Sequence, residues 1–117
     1  MVKRQNEYGY INISSDVFTA LTGDAATNCF GVKGMAIRSV TDGLVHLLKS
    51  EFMGKGVHIT YNDDKTISIS LHIAVDQGVN IPAICESIKD RVCYDVTKAT
   101  GVNVKRIDIY VESMLLG

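Results

Sequence analysis

The strictest pattern in this 117-residue chain is a period of two between positions 57 and 75. Apolar side chains alternate there with histidine, serine and threonine, which is typical of strands that bury one face and leave the other polar. The apolar set consists of Val57, Ile59, Tyr61, Ile67, Ile69, Leu71, Ile73 and Val75. This alternation predicts an antiparallel hairpin with one buried face.

The register of the hairpin also follows from the alternation, because a slip of one residue would turn the apolar set towards water. Tyr61 is therefore expected opposite Ile67, which leaves residues 62–66 as the loop and places His58 opposite Ser70. His58 and His72 become diagonal neighbours on the polar face, about 7–8 Å apart. That distance allows a weak metal pair, but we favour solvated strand histidines.

A helical period begins after Gly78. Ile84, Ile88, Val92 and Val96 recur every four residues, which predicts a helix with this stripe against the sheet. Asn80 is the expected N-cap, Pro82 fits the first turn, and Gly101 supplies a left-handed stop. The final strand carries Ile107, Ile109 and Val111 inwards, and a phase change near Lys105-Arg106 is where a bulge would fit.

The first half of the chain is less regular. A short strand runs through Ile13, and a helix is expected from about Val17. Its predicted buried side consists of Val17, Ala20, Leu21, Ala25 and Cys29. A glycine-flanked segment, residues 31–35, leads into a short strand ending near Ile37. Thr41-Asp42 then caps a second, shorter helix, in which Leu44, Val45, Leu47 and Leu48 point to the core.

These elements predict an α+β fold with the order β-α-β-α-β-β-α-β. We expect a mainly antiparallel sheet packed on one face by two main helices. One domain is expected over residues 9–113, with a flexible N-terminus at 1–8 and a C-terminal tail at 114–117. A chain of this length can bury roughly two-thirds of its unfolded surface in one core.

Composition narrows the function. Lys and Arg number 12 against 13 Asp and Glu, for a net charge of −1, so nucleic acid is an unfavoured partner. No apolar run approaches the roughly 20 residues of a membrane span, and residues 1–8 lack a signal-peptide pattern. We therefore expect a cytoplasmic protein.

Candidate chemistry is sparse. The three cysteines are expected to be reduced thiols, and none has the Cys-x-x-Cys spacing of a zinc site. No serine lies in a nucleophile-elbow pattern. The sequence thus predicts no catalytic residue, no cofactor and no metal site, and a protein that is not an enzyme.

Seven short motifs occur in an order and spacing that resemble the alkaline shock protein family, also called envelope stress response proteins, of Gram-positive bacteria. They are Ile13-Ser14, Asp16-Val17, Gly31-Val32-x-Gly34-Met35, Lys55-Gly56-Val57, the Ile-x-Ile-x-Leu-x-Ile strand, Gly78-Val79-Asn80-Ile81-Pro82 and Thr100-Gly101. The resemblance covers about Gly9 to Glu112 and fits the short, single-domain members. One departure is Asp76-Gln77-Gly78, where an aromatic residue is expected before the glycine.

This resemblance implies a role in cell-envelope homeostasis, with no catalytic residue to carry over. It also implies a soluble protein that gathers at the inner face of the cell membrane through a partner protein. The partner would be membrane-anchored or linked to lipid metabolism, and copies of the chain could also associate with one another.

Two functional hypotheses stay open at this point. The favoured one is a non-enzymatic interaction module whose candidate surface comprises Phe30, Gly31, Lys33, Gly34, Met35, Arg38, Phe52, Met53 and Lys55. The apolar members are those that periodicity explains least, and core packing is the alternative for each. The second hypothesis is a nucleic-acid-binding, KH-like module that uses the Gly31-Val32-Lys33-Gly34 loop, whose affinity would fall steeply with salt.

Overall fold

A computed structural model describes residues 2–38, 45–47 and 56–115. The elements in chain order are β1 (Val2–Asn6), β2 (Gly9–Ile13), α1 (Ser15–Thr27), β3 (Val32–Arg38), β4 (Val45–Leu47), β5 (Val57–Tyr61), β6 (Ile67–Asp76), α2 (Ile81–Thr100) and β7 (Val104–Leu115). The predicted α+β class is confirmed, with two main helices and a mainly antiparallel sheet.

Strand β6 organises the main sheet. Its first half pairs antiparallel with β5, and Ile73 to Val75 pair antiparallel with β3 along the same edge. Its other edge runs parallel to β7 from Ile67 to Asp76. Strand β4 extends the sheet by pairing antiparallel with β3. Because β6 has partners on both edges, it lies inside the sheet. Its alternating apolar side chains line the core on one face of that sheet.

The hairpin register is as the alternation predicts. Tyr61 lies opposite Ile67, and His58 lies opposite Ser70. The predicted bulge is also present, since Val104 pairs with Ile67 and Arg106 with Ser68, which leaves Lys105 as the extra residue. A second bulge in β7, at residue 112, has no signal in the sequence pattern.

Helix α2 has the predicted ends and the predicted buried stripe. The Ala83 N–H donates to Asn80 Oδ1 at 3.1 Å, and Gly101 has a φ of 74° with its N–H bonded to the Thr97 carbonyl. The stripe Ile84, Ile88, Val92 and Val96 is buried against the apolar face of β6. Neither described helix is both long and apolar enough to cross a bilayer.

The buried face of helix α1 differs from the prediction. Phe18 and Ala25 are fully buried, whereas Val17 is 43% exposed. The Phe18 ring packs edge-on against Tyr61 of β5, with centroids 6.4 Å apart. The helix turns its largest side chain to the sheet, and the step from Val17 to Phe18 rotates the predicted face by about 100°.

Part of the predicted second helix is wrong, because residues 45–47 form strand β4. The three residues pair with Ala36, Ile37 and Arg38 of β3. The edge of β3 offers backbone partners there, and β-branched Val45 suits a strand better than a helix. The rest of that predicted helix lies outside the described residues.

Strand structure also extends beyond both ends of the predicted domain, into the N-terminal segment 1–8 and the C-terminal tail 114–117. Residues 2–6 form β1, which pairs with β2 in a separate two-stranded sheet. At the other end, β7 continues through Leu115.

A candidate docking surface around Phe30

The connection between α1 and β3 exposes a large aromatic ring. Helix α1 ends at Thr27, and a tight turn follows in which the Val32 N–H donates to the Cys29 carbonyl. Phe30 occupies this turn and is 93% exposed. Among the large apolar side chains that the structure describes, Phe30 is the most exposed, whereas Phe18 is completely buried.

Gly31 fixes the position of Phe30. It is buried with a φ of 89°, and a Cβ at this position would lie 2.6 Å from Ile84 Cδ1. Its carbonyl accepts the Asp76 N–H at 2.9 Å. The backbone of the turn therefore lies against the start of α2 and the end of β6, with the Phe30 ring on the outside.

Phe30 borders a cleft of about 540 Å³, which we call the Phe30 cleft. Its other lining residues come from the end of β6, the following loop and the first turn of α2. They are Asp76, Gln77, Gly78, Val79, Asn80, Ala83 and Ile84. The volume lies within the range of protein binding pockets, about 300–1,000 Å³.

A charged pair lies beside the cleft. Lys33 is the extra residue of a bulge in β3, since Val32 pairs with Val75 and Gly34 with Ala74. Its Nζ lies 3.7 Å from Asp76 Oδ1, with both side chains partly exposed. A solvated pair of this kind contributes little to stability. It does give the apolar cleft a polar rim.

The structure places the other residues of the predicted surface unevenly. Met35 is fully buried opposite Ile73, so its side chain belongs to the core. Gly34 is half-buried within β3, and the Arg38 backbone pairs with Val45 at the end of that strand. The remaining members, Phe52, Met53 and Lys55, lie outside the described residues.

The Gly-x-x-Gly segment does not have the geometry of a KH clamp. A KH loop leaves its backbone open to a nucleic-acid strand. Here Gly31 ends a turn, and Val32 and Gly34 pair with β6 inside the sheet. The geometry therefore does not favour the nucleic-acid hypothesis.

The sequence pattern did not identify the cleft residues between Gln77 and Ile84. A signal was present, however, in the departure from the family pattern at Asp76-Gln77-Gly78, because all three residues line the Phe30 cleft.

The thiols carry no sign of activation. Burial raises the pKa of Cys29, Cys85 and Cys93, despite smaller lowering effects of Arg91 on Cys29 and of Lys89 on Cys85. These thiols are therefore protonated at neutral pH, the form in which cysteine is a poor nucleophile. Among the described residues, no group of three or more His, Cys, Asp or Glu side chains is arranged to hold a metal ion.

Comparisons with known proteins give both a family and a fold. The model of the alkaline shock protein 23 family, described as having a "cell envelope-related function", matches residues 3–116. The uncharacterised protein YloU of Bacillus subtilis is 31% identical over 114 residues, covering 97% of this chain and 94% of the relative. The uncharacterised protein Spy1614 of Streptococcus pyogenes is 32% identical, covering 97% and 93%.

Two solved structures of MamM CTD variants share the fold. They superpose with TM-scores of 0.57 and 0.58 at 17% identity. The matches cover 86% and 87% of this chain, and 95% and 100% of the respective structures. Identity this low supports a common architecture alone.

Proposed function

The chain belongs to the alkaline shock protein family, whose members have a cell envelope-related function. We propose that it is a non-enzymatic docking module that acts in cell-envelope homeostasis. The observation that carries the proposal is the 93% exposed Phe30 ring at the edge of a 540 Å³ cleft. The occupant is a protein segment that covers the ring and places an apolar side chain in the cleft.

The energetics favour a protein partner at this site. Covering a phenylalanine side chain is worth roughly 1.5–3 kcal/mol, and aromatic anchors beside pockets commonly dominate the energy of an interface. The rim formed by Lys33 and Asp76 supplies charges that set orientation more than affinity. Phe52, Met53 and Lys55 remain predicted members of the same surface.

The family description supports a partner at the cell envelope. In this proposal the protein is cytoplasmic and reaches the inner face of the membrane through the segment bound at Phe30. The partner is membrane-anchored or acts in lipid metabolism. The protonated thiols agree with a binding role.

Site-specific photocrosslinking tests this surface. A photoreactive phenylalanine replaces Phe30 in one variant and Tyr94 in a matched control. Tyr94 is a 61% exposed aromatic residue in a different cleft, lined also by Leu21 and Arg91. We expect position 30, but not position 94, to crosslink one envelope protein in cells that produce the chain.

Substitution gives the complementary measurement. Phe30→Ala should change the free energy of unfolding by less than about 0.5 kcal/mol, because the side chain is exposed. It should nevertheless reduce recovery of the chain in the membrane fraction, whereas Tyr94→Ala should not. Equal crosslinking at both positions, or unchanged recovery of Phe30→Ala, would remove the Phe30 cleft as the docking surface.

A further inference from the structure

A cluster of two histidines, a tyrosine and a glutamate lies on the polar face of the sheet, away from the helices. It is found where β5, β6 and β7 are neighbours. The His58 and His72 rings are 5.7 Å apart between centroids and nearly perpendicular. Tyr110 stacks on His72 with centroids 4.8 Å apart and an interplanar angle of 12°. His72 Nδ1 lies 2.8 Å from Glu112 Oε1.

The second bulge of β7 lies beside this contact. His72 pairs with Tyr110 and Ile73 with Val111, but Ala74 pairs with Ser113. Glu112 is thus the extra residue, and its carboxylate reaches the His72 ring on the polar face, where alternation from Tyr110 also places it. Glu112 therefore supplies an acceptor for one ring nitrogen of this histidine.

A histidine held in this way has the arrangement of a metal ligand. A carboxylate that accepts the Nδ1 proton fixes the tautomer and leaves the Nε2 lone pair to face a metal ion. Tyr110 restrains the plane of the same ring by stacking. His72 is thereby oriented in advance, at 25% side-chain exposure.

The second imidazole is at a suitable distance. With metal–nitrogen bonds of about 2.0–2.1 Å, two imidazoles on a tetrahedral metal have centroids about 5 Å apart. The observed centroid distance of 5.7 Å is close to this value, and His58 is an exposed residue. Because the described residues include no group of three such ligands, water would complete the coordination of a bound ion.

We propose that His58 and His72 form a two-histidine site for a divalent transition metal ion, with Glu112 as the positioning residue for His72. Imidazole nitrogens select Zn²⁺, Cu²⁺ and Ni²⁺ over Mg²⁺ and Ca²⁺. The site is on the sheet face away from the helices and is independent of the proposed role of Phe30.

Zn²⁺ titration of the full chain, followed by NMR of the histidine rings and by calorimetry, tests the site. One Zn²⁺ should bind per chain and shift the ring signals of His58 and His72. His58→Ala and His72→Ala should each weaken binding at least 10-fold. His46 is the matched control, since it lies in β4 and pairs with Ile37, and His46→Ala should bind as the parent chain does.

The positioning role has its own measurement. Glu112→Gln keeps both imidazoles and should weaken Zn²⁺ binding 10- to 100-fold, the usual range for partners of metal-bound histidine. It should also change the tautomer of His72 in the metal-free chain, as read from ring ¹⁵N shifts. Unchanged affinity in His58→Ala, or Zn²⁺ bound through the cysteines or His46, would overturn the proposal.

If His72→Ala fails to fold, His58→Ala decides the question, because His58 is exposed and its removal leaves the core intact. No binding to the parent chain at millimolar Zn²⁺ would also reject the site. None of these results bears on crosslinking at Phe30, so the two proposals can fail separately.

Discussion

At the scale of single residues, two glycines share a backbone conformation but have different surroundings. Gly31 and Gly78 have φ values of 89° and 86°, in the region that side chains rarely adopt. A Cβ at Gly31 would lie 2.6 Å from Ile84 Cδ1 and 3.2 Å from Val79 Cγ1. A Cβ at Gly78 would meet no atom within 4 Å. Glycine at position 31 is thus required both by the backbone conformation and by the lack of space for a Cβ. Glycine at position 78 is required by the backbone conformation alone.

Gly78→Ala should lower the free energy of unfolding by about 1–2 kcal/mol, the cost of the left-handed conformation. Gly31→Ala should lose that amount and a further 1–3 kcal/mol or so, because Ile84 and Val79 must move in a packed region. Urea unfolding of the two variants measures the difference. Equal losses would show that the contact with α2 is loose and does not fix Phe30.

Gly34, the other glycine of the Gly-x-x-Gly segment, has neither of these constraints. Its φ is outside the positive range, and a Cβ there would make an ordinary contact at 3.6 Å with Leu47 Cδ2. Sequence alone could not distinguish it from Gly31, since both belong to one Gly-x-x-Gly motif. The difference arises from the pairing of Gly34 with Ala74 inside the sheet.

Sequence alone is equally unable to distinguish exposed from buried apolar side chains in the candidate surface. Phe30 and Met35 both adjoin glycines, and no local pattern separates an exposed role from a buried one for either. Strand β3 turns Met35 to the face of Ile73, whereas Phe30 lies in the turn before the strand. Glu112 was missed as a partner of His72 because alternation gives its face but not the parallel pairing of β7 with β6 that brings the two side chains together.

At the scale of elements, the β5–β6 hairpin was the most predictable part of the fold. Its register follows from which residues avoid water, so alternation fixes it completely. The loop contains more than alternation shows. Lys65 takes a φ of 66°, and Asp64 Oδ1 accepts bonds from the Thr66 hydroxyl at 2.6 Å and the Thr66 N–H at 3.2 Å.

These bonds make the loop sensitive to acid. The hydroxyl and N–H of Thr66, with a smaller effect of Lys105, lower the pKa of Asp64 below 3.8. A carboxyl with a lowered pKa in the folded state adds stability above its unfolded pKa and loses it as pH falls further. We expect this contribution to be lost progressively as the pH falls below about 4.

Asp64→Asn should therefore be less stable than the parent chain at pH 7 and should lose less stability between pH 5 and pH 3. Urea unfolding across that range measures the slope. Asp63→Asn is the control, since it removes the adjacent carboxylate without touching the Thr66 bonds. Parallel pH profiles for Asp64→Asn and the parent chain would contradict the assignment.

The elements of the first half show what periodicity cannot decide. In α1, both Val17 and Phe18 begin apolar stripes, and packing of Phe18 against Tyr61 selects one of them. In β4, Val45 to Leu47 fit a helical pattern as well as a strand. The open edge of β3, a tertiary feature, gives these three residues their backbone partners.

At the scale of the whole molecule, the direction of β7 was beyond local pattern. Its alternation predicts a strand without saying which neighbour it joins. Helix α2 returns the chain across the sheet, so β7 joins β6 in parallel, as such crossovers do. The result is a central β6 with hydrogen-bonded neighbours on both edges.

The N-terminal hairpin, unlike β6, lies outside the main sheet. Strands β1 and β2 form a sheet of their own, and Tyr10 and Ile11, successive residues of β2, are 64% and 63% exposed. Adjacent strand residues face opposite sides, so both sides of this hairpin are largely open to solvent at β2. A two-stranded hairpin of this kind is marginally stable in water.

Amide hydrogen exchange should therefore differ sharply along the chain. Amides of β6 should exchange only through global unfolding, whereas those of β1 and β2 should exchange orders of magnitude faster, through local opening. Mass spectrometry of exchanging peptides at several protein concentrations measures this. Slow exchange of the hairpin at every concentration would mean that contacts within one chain hold it. Protection that grows with concentration would instead mean that a second copy covers Tyr10 and Ile11, because only an intermolecular contact depends on concentration.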